Sequence, residues 1–84
     1  MNYLDIDDKE VESIYKAIRE NVKKYRKEKS ITQEQLALAI GHSSASMISK
    51  IEAGLENKRY SIKQLYLISK VLDIPFDKLF KLEN

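Results

Sequence analysis

Ser46, Ser49, Lys50 and Ala53 recur at spacing i, i+3, i+4, i+7, which on a helix makes one face. Ile48 and Ile51 fall on the opposite side and must turn toward a core. An outward helix stripe ordinarily carries long charged side chains. Three small residues and one lysine instead let the backbone come close to another surface. The major groove of B-DNA is about 12 Å wide and admits one α-helix. A serine hydroxyl can donate to or accept from a base edge there, and a lysine can reach guanine acceptors or a phosphate. The same stripe would also suit a helix packed against another protein, and the stripe by itself does not choose between them.

Other chemistries lack their residues. The chain of 84 residues has no cysteine and one histidine, His42. Disulfides, thiolate nucleophiles, thiolate zinc sites, iron–sulfur clusters and a multi-histidine cage are thereby excluded. Gly41 and Gly54 are its two glycines, too far apart for a dinucleotide fingerprint or a Walker loop. His42 beside Ser43 cannot supply triad geometry, because adjacent residues do not face one another and no orienting carboxylate is near. Asp5-Ile6-Asp7-Asp8 begins like a calcium loop but lacks the glycine and the closing glutamate. The expectation is a non-enzyme with no metal and no cofactor. There is no apolar run near 18 residues and the start of the chain is acidic, so a membrane span and a secretory signal are not expected. A cytoplasmic, nucleoid-associated protein is expected.

Charge is segregated along the chain. Residues 21–29 carry five bases and one acid (+4), and residues 58–84 carry six bases and three acids (+3). Residues 1–20 stand at −3 and residues 30–57 at −2, for a total of +2. Two basic zones thus flank a nearly neutral, serine-rich centre. A polyanion could be held at the flanks and inspected between them. Charge alone is better served by solvated lysine-rich helix faces.

Five helices must position these residues. From Asp7 to Lys29, Val11, Ile14, Tyr15, Ile18, Val22 and Tyr25 form one stripe expected to be buried. Acids open this helix and bases close it, as its dipole favours. Thr32 and Gln35 form a capping box for a second helix reaching about Ile40, where Gly41 stops it. His42-Ser43-Ser44 is a turn, and Ser44 or Ser43 is expected to cap a third helix from Ala45 to about Ala53. A basic loop, residues 55–60, precedes a second capping box, Ser61 with Gln64, and a fourth helix through Val71 or Leu72. Pro75 suits the first turn of a fifth helix, Phe76 to Lys81. The expected class is all-α, a compact five-helix domain with a long first helix. A second helix, a Gly-Ser turn and a third helix of these lengths would lay the first member of the pair across a DNA backbone and the second in the groove.

Residues 18–82 resemble the Cro/phage-repressor helix-turn-helix family, also called the lambda-repressor-like or xenobiotic-response-element (XRE) family. The resemblance rests on Ile18, Asn21-Val22-Lys23, the run Arg26 to Ala37, Ile48-Ser49-Lys50-Ile51-Glu52-Ala53-Gly54, Ser61 to Leu65, Ile68 to Ile74, and Leu79-Phe80. It covers about three-quarters of the chain in order. Ser30 stands where the family usually has glycine, and the turn through His42-Ser43-Ser44 is one residue longer. The loop from Gly54 to Ser61 is longer than in many members, and residues 1–17 extend the first helix beyond the family core.

The resemblance implies a role for each matched position. Gln33, with Thr32, would hold a DNA phosphate. Ala45, Ser46, Ser49 and Lys50 would face base edges, with Ser43 and Ser44 of the turn beside them. Met47 would lie on the sugar–phosphate backbone or turn back into the core. Asn57, Lys58, Arg59 and Tyr60 would form a phosphate-contacting loop, and Arg26 with Glu52 an internal salt bridge. The function implied is a prokaryotic or phage transcriptional repressor. One recognition helix reads too few base pairs for genomic specificity, so a homodimer on an inverted-repeat operator is expected. Phe76, Leu79, Phe80 and Leu82 are the expected dimer surface, with Tyr3, Leu4 and Ile6 as a second choice. A regulatory protein partner is also possible, as for an antitoxin. The alternative is a protein-interaction module that keeps the fold and has lost DNA binding.

Overall fold

The computed structural model describes residues 5–82. Four α-helices follow in order: α1, Asp8–Glu28; α2, Gln33–Ala39; α3, Ser46–Glu52; and α4, Ile62–Leu72. A 3-10 helix, Phe76–Phe80, stands where a fifth α-helix was expected. Pro75 opens it in extended conformation, and five residues are too few for the longer hydrogen-bonded ladder. The described residues are all-helical, as the sequence pattern implies.

Polar side chains begin the helices as their chemistry dictates. The Asp7 carboxylate accepts from the Lys9 amide at 2.9 Å. Thr32 with Gln35 and Ser61 with Gln64 close both reciprocal bonds of their capping boxes. α3 is the exception. Its N-cap is Ala45, already in helical conformation and without a side-chain bond, and Ser44 Oγ reaches the Ser46 amide only at 3.4 Å. The expected serine cap is therefore absent. A capping hydroxyl needs an extended backbone at the N-cap, which this turn does not provide.

All four helices end alike. Ser30, Gly41, Gly54 and Asp73 are left-handed, at φ 57°, 92°, 71° and 54°. The amide of the following residue then reaches back into the last turn. Ile31 bonds the Arg26 carbonyl, His42 that of Ala37, Leu55 that of Lys50 and Ile74 that of Ser69, at 2.9 to 3.0 Å. This is the 6→1 bond of a Schellman ending. Its geometry explains why Ser30 departs from an expected glycine at a cost, since a Cβ is disfavoured at that φ.

The core is made by Val22, Leu36, Ala37, Ile40, Ile48, Ile51, Tyr60, Leu65, Ile68, Leu72 and Leu79. Every element contributes. α2 packs on α3, and the 3-10 helix packs on α1 and α4. Asn21 is buried and donates to the Leu79 and Lys81 carbonyls at 3.0 and 2.8 Å, which ties α1 to the end of the described chain.

Two expectations about burial need correction. The buried residues of α1 are Ala17, Asn21, Val22 and Arg26, none of them in its first nine residues. Val11, Ile14 and Tyr15 are exposed, because the first turns of α1 run past the end of the core. The stripe continues in sequence beyond the reach of the core. Leu79, expected at a dimer surface, is 0% exposed and belongs to the core. Phe76 and Phe80 are partly buried and meet edge-to-face at 5.0 Å between ring centroids, whereas Leu82 is exposed. Ile6 is also exposed, and Tyr3 and Leu4 lie outside the described residues.

Replacing Ser30 by glycine removes the left-handed strain and is expected to stabilise the fold by about 1 kcal/mol. Urea denaturation followed by circular dichroism measures it. An unchanged or lower midpoint contradicts this account of the α1 ending.

Candidate nucleic-acid interface

α3 is fixed from beneath by Ile48 and Ile51, which are 0% and 2% exposed. Its other side carries Ser46 and Ala53, both exposed, with Ser49 and Lys50 half-buried. Ser49 Oγ donates to the Ser46 carbonyl at 3.1 Å, which leaves the hydroxyl oxygen able to accept. Ala45 is half-buried, and Ser43 and Ser44 are exposed in the turn before it. Met47 turns inward and packs against the core. Its sulfur accepts from Gln64 Nε2 at 3.4 Å, and the same amide lies 3.3 Å from His42 Nε2. Gln64 therefore ties the start of α4 to both the turn and α3. Its capping role was legible in sequence; its bridging role was not, since the partners are 17 and 22 residues away.

The far end of α3 is held by a buried ion pair. Arg26 Nε and Nη2 donate to the two Glu52 oxygens at 2.8 and 2.9 Å. The two side chains are 8% and 3% exposed. Arg26 Nη1 donates to the Ile31 carbonyl at 2.8 Å, and Gln33 Nε2 donates to Glu52 Oε1 at 3.0 Å. One carboxylate thus joins α1, α2 and α3. Gln33 is committed to this network through one amide hydrogen, and its second is unused. Thr32 spends its hydroxyl oxygen on the Gln35 amide.

The loop after α3 departs most from expectation. Asn57 and Lys58 are exposed, but Arg59 is half-buried and folded back on α1. Its guanidinium pairs with Glu12 and stacks on Tyr15, 4.1 Å from the ring centroid. It also donates to the Asn57 carbonyl at 2.6 Å. The expected phosphate contact by Arg59 is corrected to a loop-anchoring role. Tyr60 is corrected as well. At 9% exposure it is a core residue, and its hydroxyl has no hydrogen-bond partner. Burial holds the Tyr60 phenol well above its ordinary value of 10.0, with the nearby Glu52 carboxylate adding to the effect. Glu12 and Tyr15 were missed because their partner lies over forty residues on, beyond any local pattern.

His42, Ser43, Ser44, Ser46, Met47, Lys50 and Lys58 line one shallow notch of about 250 Å³. The structure therefore brings the turn, the outer face of α3 and one loop lysine together, while Thr32 and Gln33 sit beside the α3 terminus. Among the described residues, no helix is long and apolar enough to cross a membrane. A family model described as helix-turn-helix matches residues 22–79 of the chain. No curated protein and no solved structure matches it.

Glu52→Ala strands a buried guanidinium and is expected to cost about 3 kcal/mol or more, whereas Arg26→Met with Glu52→Leu is expected to lose much less. Equal losses in chemical denaturation contradict the burial argument. Tyr60→Phe removes an unpartnered hydroxyl at little or no cost near neutral pH. Above pH 10 the unfolded phenol ionises while the folded one stays protonated, so stability falls as pH rises. The phenylalanine variant is expected to lose less stability between pH 9 and about 11 than its parent. Parallel pH profiles contradict that.

Proposed function

The chain belongs to the Cro/C1-type helix-turn-helix family of DNA-binding regulators, and from that premise we propose that it is a sequence-specific repressor which reads the major groove with α3. The observation that carries this reading is the exposed face of Ser46, Ser49 and Lys50. Its two serines are short, it is backed by two buried isoleucines, and its Ser46 and Lys50 share one concave surface with the turn serines and Lys58. Ser46, Ser49 and Lys50 address base edges, and Ala45 offers a methyl group to a thymine. Ser43, Ser44 and Lys58 line the same notch and meet phosphates, as does Asn57 from the exposed loop beside Lys58. Gln33 uses its free amide hydrogen on a phosphate while Glu52 fixes its orientation. Met47 and Tyr60 serve the core that supports this face.

The operator is an inverted repeat bound by a homodimer, with half-sites about 34 Å apart along one side of the duplex. Phe76, Phe80 and Leu82 supply apolar surface for the dimer. In this reading the protein works without catalysis or cofactor, and its concentration, proteolysis or a protein partner can control it.

Selection from random duplex DNA tests the reading. A palindromic consensus is expected. Lys50→Ala is expected to relax preference at one base pair per half-site, and Gln33→Ala to weaken all duplexes alike. If no duplex is enriched at low ionic strength, the fold serves protein interaction instead and the proposal fails.

A further inference from the structure

Lys50, the longest side chain on the reading face, is not free. Its Nζ lies 3.1 Å from Glu56 Oε2, and the two side chains remain 41% and 56% exposed. Glu56 is held there by its backbone. The Leu55 amide bonds the Lys50 carbonyl at 2.9 Å, and the Lys58 amide bonds the Leu55 carbonyl at 3.1 Å. Glu56 and Asn57 are both left-handed, at φ 56° and 52°. Asparagine accepts that conformation readily and glutamate rarely does. The loop thus keeps a carboxylate at the edge of a surface otherwise furnished with serines and lysines, where phosphates would repel it.

We propose that Lys50 and Glu56 read a single G·C base pair as one unit. Lys50 donates to guanine O6 and N7, and Glu56 accepts from the cytosine N4 amino group. The inference rests on the DNA reading proposed above and deepens it. In the major groove, guanine O6 and cytosine N4 are neighbours, joined by a hydrogen bond of about 2.9 Å. The Lys50–Glu56 pair presents a donor and an acceptor at 3.1 Å, the complementary arrangement at nearly the same spacing. A T·A pair also sets an acceptor beside a donor. It gives the lysine one acceptor and a crowding methyl group, where guanine gives two acceptors. Reversed pairs put a donor before the ammonium or an acceptor before the carboxylate. The pair already sets its donor beside its acceptor in the arrangement that the base pair complements. Because it is neutral as a unit, Lys50 adds little to attraction for arbitrary phosphates. Glu56 is thereby a specificity-determining residue that lowers non-specific affinity.

Selection and titration with the parent protein, Glu56→Ala, Glu56→Gln and Lys50→Ala test this, with circular dichroism confirming that each exposed substitution leaves the fold intact. The parent is expected to require G·C at the position that Lys50→Ala relaxes. Glu56→Ala and Glu56→Gln are expected to reduce the preference at that same position roughly tenfold. Both are expected to bind random duplex more tightly, with a salt dependence steeper by about one unit of slope. If either glutamate variant keeps the parent's preference at every position, the paired reading is overturned. It is also overturned if the position relaxed by Lys50→Ala is not G·C. If the parent itself enriches no duplex, the reading on which this one rests has failed first.

Discussion

Glu52 is the carboxylate on which three helices converge. It ends α3, accepts from Nε and Nη2 of Arg26 from α1 and accepts from Gln33 at the start of α2. A charge so nearly removed from water is tolerable only with its partners in place. Those partners therefore set the position and tilt of α3 relative to the rest. The isoleucines beneath hold the helix down, while Glu52 determines where along the core its end must lie. A helix of seven residues has little structure of its own, and the orientation of α3 depends on this anchorage.

The loop after α3 is governed by the same economy of charge. Three charged side chains there have separate tasks. Arg59 is drawn away to Glu12 and Tyr15 on the long first helix, Glu56 is paired with Lys50, and Lys58 faces the notch. The N-terminal turns of α1 carry no buried residue, yet they position the loop through Arg59. Their extension beyond the family core thus has a structural consequence in the loop after α3. Val11, exposed on the same turns, lines one depression with Glu12, Tyr15, Asn57 and Arg59.

Much of the fold was legible because the signals are local. Capping boxes at Thr32 and Ser61, left-handed glycines at 41 and 54, and 3.6-residue periodicity place four helices to within a residue or two. The face of α3 was legible for the same reason. Burial was not, since periodicity shows which side of α1 is apolar and not how far the core reaches along it. Tyr60 illustrates the converse: in sequence it sits in a short polar stretch, and only the tertiary arrangement carries it inward, whereas Leu79 stands beside Phe80 in a segment whose pattern does not say which apolar side chain is buried. The Arg59 contacts and the Lys50–Glu56 pair depend on the path of a seven-residue loop through two successive left-handed residues. No composition rule anticipates that path when one of the two is glutamate.

The central claim is that the outer face of α3 meets the edges of base pairs. Amide chemical-shift mapping during titration with a duplex at low salt addresses it most directly, without requiring the operator to be known beforehand. The account predicts perturbations concentrated at residues 43–50 and 56–58 and at Gln33, with the buried core and the start of α1 little changed. Perturbations centred on the start of α1 or on the 3-10 helix, with residues 46–50 silent, would contradict it.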